Sequence, residues 1–284
     1  MMLRTLISPT VLAALNESGE ALIVDCRFEL SDPGKGQHDY AQAHIPNAVY
    51  ASLDRDLSDL SKPGLGRHPL PSETDFSRVL ERWGWHSGMP VIAYDDASGA
   101  LAAARLWWLL RLADENNVAV LDGGFAAWRT AGLPTTGLVP SKQAGAANVH
   151  FDSKQMIDYS ALQHGLAEHE ILLLDARGAA RFRGEVEPID RVAGHVPGAR
   201  NRPFQDNLHA DGRFKSADQL HAEFGEAIGD VAPDDVIHMC GSGVSACHNL
   251  LAMEHAGLAG SRLFAPSWSG WISDSTRSTA QGGE

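Results

Sequence analysis

"ILLLDARGAA", residues 171–180, runs four apolar residues into Asp175-Ala176-Arg177. The chain writes the same phrase earlier as "ALIVDCRFEL", residues 21–30, with Asp25 and Arg27 in the matching places. Working outward, the likeness continues in order. "AHIPNAVY" (43–50) matches "GHVPGARN" (194–201), pairing His44 with His195 and Pro46 with Pro197. "PVIAYDD" (90–96) matches "DVIHMCG" (235–241), and "VAVLDGGFAAWRTAGLP" (118–134) matches "SRLFAPSWSGWISDS" (261–275). The last match sets Trp128 against Trp271 and Phe125 against Trp268. Repeated matches in one order identify a tandem duplication.

Each half alternates short apolar runs with segments of helical period. "VIAYDD" precedes "LAAARLWWLLRLA" (101–113), and "VAVLDGG" precedes "FAAWRTAG". Short strands joined through helices give βα units, so each half is expected to be a mainly parallel sheet flanked by helices, an α/β fold. Between the halves, "TTGLVPSKQAGAANVH" (135–150) has no periodicity and is rich in Gly, Pro, Ser and Ala, which reads as a linker. The expected division is a first domain over 1–137, a linker over 138–152 and a second domain over 153–284.

Composition narrows the function. The chain has 284 residues, 44% hydrophobic and 21% charged, enough apolar surface for two cores. Its formal charge of −13 argues against nucleic acid and anionic membranes as partners. No apolar run is long enough to span a bilayer. At the N-terminus Ser8-Pro9-Thr10 reads as a helix start, not as part of a signal peptide. Cys26, Cys240 and Cys247 are too few and wrongly spaced for a disulfide framework or a zinc knuckle, so no metal is expected. A reducing compartment, the cytoplasm, suits three free thiols.

Cys240 stands where two structural signals meet. The apolar run Val236–Met239 ends there, Gly241-Ser242-Gly243-Val244-Ser245 follows, and then Val244, Cys247, Leu250, Leu251 and Glu254 recur at helical spacing up to a stop at Gly257. A small-residue turn opening a helix aims backbone N–H groups and the positive helix end at one point, which suits an anion. A cysteine there is expected to act as a nucleophilic thiolate. Phosphate-monoester hydrolysis by a cysteine needs an arginine on the sixth residue after the thiol, and here that residue is Ala246. Sulfur transfer needs no such arginine, because a persulfide asks only for hydrogen-bond donors.

With "VDCR…AHIPNA", "VLDGGFAAWRTAGLP", "LDARGAARFRGEVEP…GHVPGA", "CGSGVSACHNLLA" and "PSWSGW" together, the chain resembles a two-domain rhodanese-family sulfurtransferase over essentially its whole length. The resemblance implies two tandem rhodanese-like domains, with the catalytic cysteine, Cys240, in the second. In the first, Asp95-Asp96-Ala97-Ser98-Gly99 stands where the cysteine loop would be, so that half is expected to serve as a structural and pocket-lining partner. Within the family, a loop beginning Cys-Gly-Ser-Gly-Val resembles that of the 3-mercaptopyruvate sulfurtransferases. Thiosulfate-preferring relatives put basic residues after the cysteine, where this chain has neutral Gly241 and Ser242.

The resemblance further implies that Gly241, Gly243, Val244 and Ser245 line the substrate loop, and that Arg181 and Arg191 clamp the substrate carboxylate. It also implies a relay of Ser242, His68 and Asp54 that delivers a proton to the departing enolate. The expected reaction takes sulfur from 3-mercaptopyruvate through a Cys240 persulfide to cyanide, a small thiol or a thioredoxin-like protein, releasing pyruvate. Thiosulfate, with sulfite as product, is the alternative donor, and a binding module without turnover is a third reading. No metal or organic cofactor is implied. Cys247 is expected to be a packed thiol and Cys26 a buried one. His44 and His195 are expected to hold the fold, and Trp268 and Trp271 to be core. Gly270 departs from the family pattern, which has an acidic residue there.

Overall fold

Ser8, Pro9 and Thr10 do start a helix. Ser8 is extended and its side chain accepts the Val11 N–H, and Pro9, which has no N–H to leave unpaired, opens α1 (Pro9–Ser18). The computed structural model describes residues 3–283; Met1, Met2 and Glu284, the ends of the two expected domains, lie outside the described residues. The chain forms two compact units. Among the described residues, the first comprises 3–59, Leu70–Asp152 and Ala210–Phe214; the second comprises Leu60–Pro69, Ser153–His209 and 215–283. Each unit therefore takes a short segment from the opposite half of the sequence.

Among the described residues of the first unit, the apolar runs become β1 (Leu6–Ile7), β2 (Leu22–Asp25), β3 (Val49–Tyr50), β4 (Val91–Tyr94) and β5 (Val118–Leu121). All pair in parallel, in the order β1-β5-β4-β2-β3. The connections carry α2 (Lys35–Gln42), α3 (Leu53–Asp56), α4 (Glu73–Arg82) and α5 (Ala103–Leu112), and α6 (Gly124–Thr130) follows β5. β2, β4 and β5 are buried throughout, which is why they read as unbroken apolar runs and not as alternating ones.

The second unit repeats the plan with α7 (Tyr159–Ala167), β6 (Leu172–Asp175), α8 (Ala179–Phe182), β7 (Arg200–Asn201), α9 (Ala217–Ile228), β8 (Val236–Met239), α10 (Ala246–His255), β9 (Arg262–Leu263) and α11 (Ser267–Trp271). Its strand order is β7-β6-β8-β9, again all parallel. A parallel bridge from Met156 to Leu263 stands where β1 meets β5 in the first unit. Register is preserved as well: Asp25 faces Tyr50, and Asp175 faces Asn201.

The duplicated motifs hold the two folds in the same way. Arg27 donates to Asp25 and to the Ala43 carbonyl, over the Phe125 ring at 4.4 Å. Arg177 donates to Asp175 and to the Gly194 carbonyl, over the Trp268 ring at 4.8 Å. His44 stacks on Tyr40 and bonds its carbonyl; His195 stacks on Phe182 and bonds its carbonyl. Trp128 and Trp271 each donate their indole N–H to a following carbonyl, of Pro134 and Ser278. Trp268 and Trp271 belong to the second unit's core with Leu173, Ile237 and Phe264. The two histidines and two tryptophans thus build the folds, as the sequence indicates. No described helix is long and apolar enough to cross a membrane.

Candidate active site

β8 delivers Cys240 to the carboxyl edge of the sheet, the usual place for a site in a parallel α/β fold. Cys240 is 2% exposed. Its N–H donates to Ser267 Oγ at 3.1 Å, and Ser267 Oγ donates to the Phe264 carbonyl at 3.0 Å. Ser267 is buried with φ +52°, a position that favours glycine, so the fold holds this anchor against local strain. The Cys240 and Gly241 carbonyls accept the N–H groups of Trp268 and Ser269 in α11. In a trans peptide the C=O and the next N–H point oppositely, so the N–H groups of Gly241 and Ser242 turn away from α11. Ser245, at the head of α10, makes no side-chain cap, and the N–H groups of Cys247 and His248 donate to the Val244 and Ser245 carbonyls. Gly243 is required: its φ is +75°, and a Cβ there would sit 2.4 Å from the Ala265 carbonyl oxygen. Val244 is buried and Ser245 half-buried.

The first unit shows the same turn already occupied. Asp95 holds the position of Cys240, and its carboxylate accepts the N–H groups of Ala97 and Gly99 on Oδ1 (2.9 and 2.7 Å). Oδ2 accepts those of Leu101, Ala102 and Ala103 at 3.1–3.2 Å. Burial raises the Asp95 pKa while the N–H groups oppose that rise. All five partners are donors, which is the complement of an ionised carboxylate. The first copy of the turn is therefore an anion cradle filled by its own side chain.

Ser242 Oγ and His68 Nδ1 share a hydrogen bond of 2.8 Å, and both side chains are buried. His68 reaches this position because residues 60–69 pack in the second unit. Gly66 has φ +89°, and a Cβ there would meet the Pro266 carbonyl oxygen at 2.4 Å; Arg67 N–H donates to Ser269 Oγ, and Tyr159 donates to the Gly64 carbonyl. Gly270 is explained by the same packing, since a Cβ on it would stand 2.5 Å from the Tyr159 hydroxyl. Asp54 lies in the first turn of α3 in the first unit, half-buried, with its pKa raised by burial.

Two guanidinium groups stand at Gly241. A Cβ on Gly241 would be 3.3 Å from Arg67 Nη2 and 3.8 Å from Arg181 Nη1 and Nη2. Arg181, on α8, donates to Glu187 at 2.8 and 3.2 Å and to Asp190 at 3.2 Å. Arg67 donates from Nη1 to Asp190 at 2.8 Å. Burial works against the Glu187 carboxylate, but Arg181 and the N–H groups of Asp190 and Ile189 together hold its pKa below the usual value. Arg191 is not among the groups nearest Gly241. It donates to the Ile272 carbonyl, while the guanidinium groups nearest Gly241 are those of Arg67 and Arg181.

The other two thiols are packed in the interior. Burial, with Asp95 and Asp25 nearby, pushes the Cys26 thiol well up, and Cys247 is buried with its Sγ donating to the Gly243 carbonyl. His238, beneath the site in β8, is held neutral, its pKa lowered to about 3 by burial and by Arg202. Among the described residues no cluster of His, Cys, Asp and Glu could hold a metal.

A family model described as Rhodanese-like domain matches residues 8–131 and 158–274. The chain belongs to the rhodanese family. This rhodanese is 46% identical over 279 residues to the "Probable 3-mercaptopyruvate sulfurtransferase" of Pseudomonas aeruginosa, covering 98% of each chain. It is 40% identical over 283 residues, 98% of each chain, to a Mycobacterium tuberculosis protein that carries a provisional thiosulfate sulfurtransferase name, SseB. The crystal structure of SseA from Escherichia coli, presented with the fold of 3-mercaptopyruvate sulfotransferases, superposes with a TM-score of 0.80. That match has 30% identity and covers 94% of this rhodanese and 100% of SseA. Sequence reasoning missed Arg67, Asp190 and Ser267. Arg67 sits beside His68 in "GRHPLP", and that adjacency was the available signal.

Proposed function

We propose that the protein is a 3-mercaptopyruvate sulfurtransferase with Cys240 as its nucleophile. The observation that carries this reading is the neutral Gly241–Ser245 loop joined to a buried Ser242–His68 pair at 2.8 Å. The Cys240 sulfur attacks the sulfur of mercaptopyruvate. The carbon–sulfur bond breaks, its electron pair passes to the enolate of pyruvate, and the Ser242–His68 pair supplies the proton that quenches it. Loop N–H groups hold the persulfide until a thiol or cyanide attacks its outer sulfur and restores the Cys240 thiolate. Arg181, Arg191 and the loop residues Gly241, Gly243, Val244 and Ser245 bind the donor, and Asp54 is the third member of the proposed relay.

The proposed nucleophile Cys240 and its loop lie in the second domain, 153–284; the domain over 1–137, with its self-filled Asp95 turn, lacks a catalytic cysteine but supplies His68 and Asp54, and 138–152 links the two. The cytoplasm is the proposed location, because three free thiols suit a reducing compartment. A thioredoxin-like protein is one acceptor class of the right chemistry.

Thiosulfate is a second reading, favoured by the two guanidinium groups at Gly241, which supply the positive charge that the loop itself lacks. Steady-state sulfur transfer to cyanide decides between them. With mercaptopyruvate kcat/KM is expected to exceed that with thiosulfate by about tenfold, or about 1.4 kcal/mol of transition-state stabilisation, and Cys240→Ser is expected to abolish transfer. Preference for thiosulfate overturns the donor assignment. Transfer that survives Cys240→Ser overturns the mechanism.

A further inference from the structure

Arg67 lies outside the duplicated motifs, and its surroundings are unusual for a surface arginine. Its Nη1 is paired closely with Asp190 at 2.8 Å, whereas Nη2 is only loosely held by the same carboxylate, at 3.5 Å. Nη2 is also the atom that comes nearest the Cβ position of Gly241, at 3.3 Å. Its Nε is buried and has no hydrogen-bond partner among the described residues. A buried guanidinium N–H without an acceptor is costly unless a ligand or water completes it. The backbone on either side is fixed, by Gly66 against Pro266 and by the Arg67 N–H on Ser269 Oγ, so the side chain leaves a rigid point.

Asp190 joins the two arginines. Its carboxylate is 4% exposed and accepts from Arg67 and from Arg181. Two guanidinium groups sharing one carboxylate beside a glycine form a receptor for a planar or trigonal anion, which arginine binds through paired N–H groups.

We propose that Arg67 is a substrate-binding residue that, with Arg181, holds the anionic group of the sulfur donor over Gly241, and that Asp190 is the positioning residue that sets the two guanidinium groups side by side. This rests on the reading of Cys240 as the sulfur-accepting nucleophile. The absence of a side chain at residue 241 is then functional, because a Cβ would occupy space next to Nη2. The recognised chemistry is a carboxylate or a sulfonate, and the two donors tell them apart.

The test uses the full chain and two variants, Arg67→Met and Arg67→Lys. KM for mercaptopyruvate and for thiosulfate is measured together with the rates at which iodoacetate and iodoacetamide alkylate Cys240, read by mass at that residue. Arg67→Met is expected to raise KM about tenfold for the anionic donor it serves, with kcat changed much less. It is also expected to slow iodoacetate about tenfold while leaving iodoacetamide unchanged. Arg67→Lys, which keeps the charge but not the fork, recovers part of both losses. A rise in KM confined to mercaptopyruvate assigns a carboxylate, and one confined to thiosulfate assigns a sulfonate. The proposal is overturned if neither KM moves, or if both alkylation rates fall together, as a merely structural role requires. Failure of the nucleophile reading looks different: Cys240→Ser then keeps the activity, whatever Arg67 does.

Discussion

Replacing Asp95 by asparagine, ordinarily a mild change, is expected to be nearly as damaging as replacing it by alanine. The reason is that each of the five bonds to its carboxylate comes from a backbone N–H, two on Oδ1 and three on Oδ2. Asparagine keeps one acceptor. In its better orientation it retains Ala97 and Gly99, the two shorter bonds, and turns its NH2 group onto the N–H groups of Leu101, Ala102 and Ala103. A buried donor left unpaired costs about 1–3 kcal/mol. Taking the low end for three donors gives a loss of about 3 kcal/mol. Alanine frees all five donors but leaves room for water, which brings its loss to about 3–5 kcal/mol. For a protein of this size about 3 kcal/mol corresponds to a fall in Tm of about 6–12 °C. Urea unfolding followed by tryptophan fluorescence measures the loss, and native-state hydrogen exchange places it, since protection should drop at Gly99 and Ala103 before the rest of the first unit. If Asp95→Asn stays within about 1 kcal/mol of the wild type, the claim that this turn is an anion cradle fails.

Two further outcomes follow from single positions. Gly243→Ala forces an L side chain into a left-handed conformation and drives its Cβ against the Ala265 carbonyl, so the loop must shift. Stability is expected to fall by about 2 kcal/mol or more, and sulfur transfer to cyanide by a larger factor than Gly257→Ala causes, since a Cβ at Gly257 meets nothing within 4 Å. His238 gives a pH dependence: folded, it stays neutral down to about pH 3, whereas unfolded it takes a proton near 6.5. Below 6.5 the unfolded chain binds a proton that the folded chain does not, so stability is lost on acidification, by about 1.4 kcal/mol per pH unit. Denaturant unfolding at pH 7.5 and pH 5 should show that slope in the wild type and a flatter one in His238→Leu. The substitution is tolerable because His238 Nδ1 is buried with no partner among the described residues.

Much of this molecule is written locally. Buried parallel strands must be apolar on both faces, so β2, β4, β6 and β8 stand out as short unbroken runs, and helix starts such as Ser8-Pro9 carry their own capping chemistry. The duplication is legible for the same reason, since Asp25/Arg27 and Asp175/Arg177 each close a ring of bonds within three residues of chain. The position of Cys240, between a strand end and a helix start, needed nothing more than a window of some twenty residues. The rest depends on contacts between residues far apart in sequence. His68 meets Ser242 because residues 60–69 leave their own half and pack in the second unit, which no local pattern records. The arginines could not be placed from sequence, because a long flexible side chain goes where its carboxylates and carbonyls are: Arg191 to the Ile272 carbonyl, Arg181 to Glu187 and Asp190, and Arg67 to Asp190 above Gly241. Sequence alone determined the sheets, the repeat and the place of Cys240 between a strand end and a helix start, all set by short-range backbone geometry; the tertiary structure decided which charges surround the Cys240 loop, because partners distant in the chain choose each other only once the fold has brought them together.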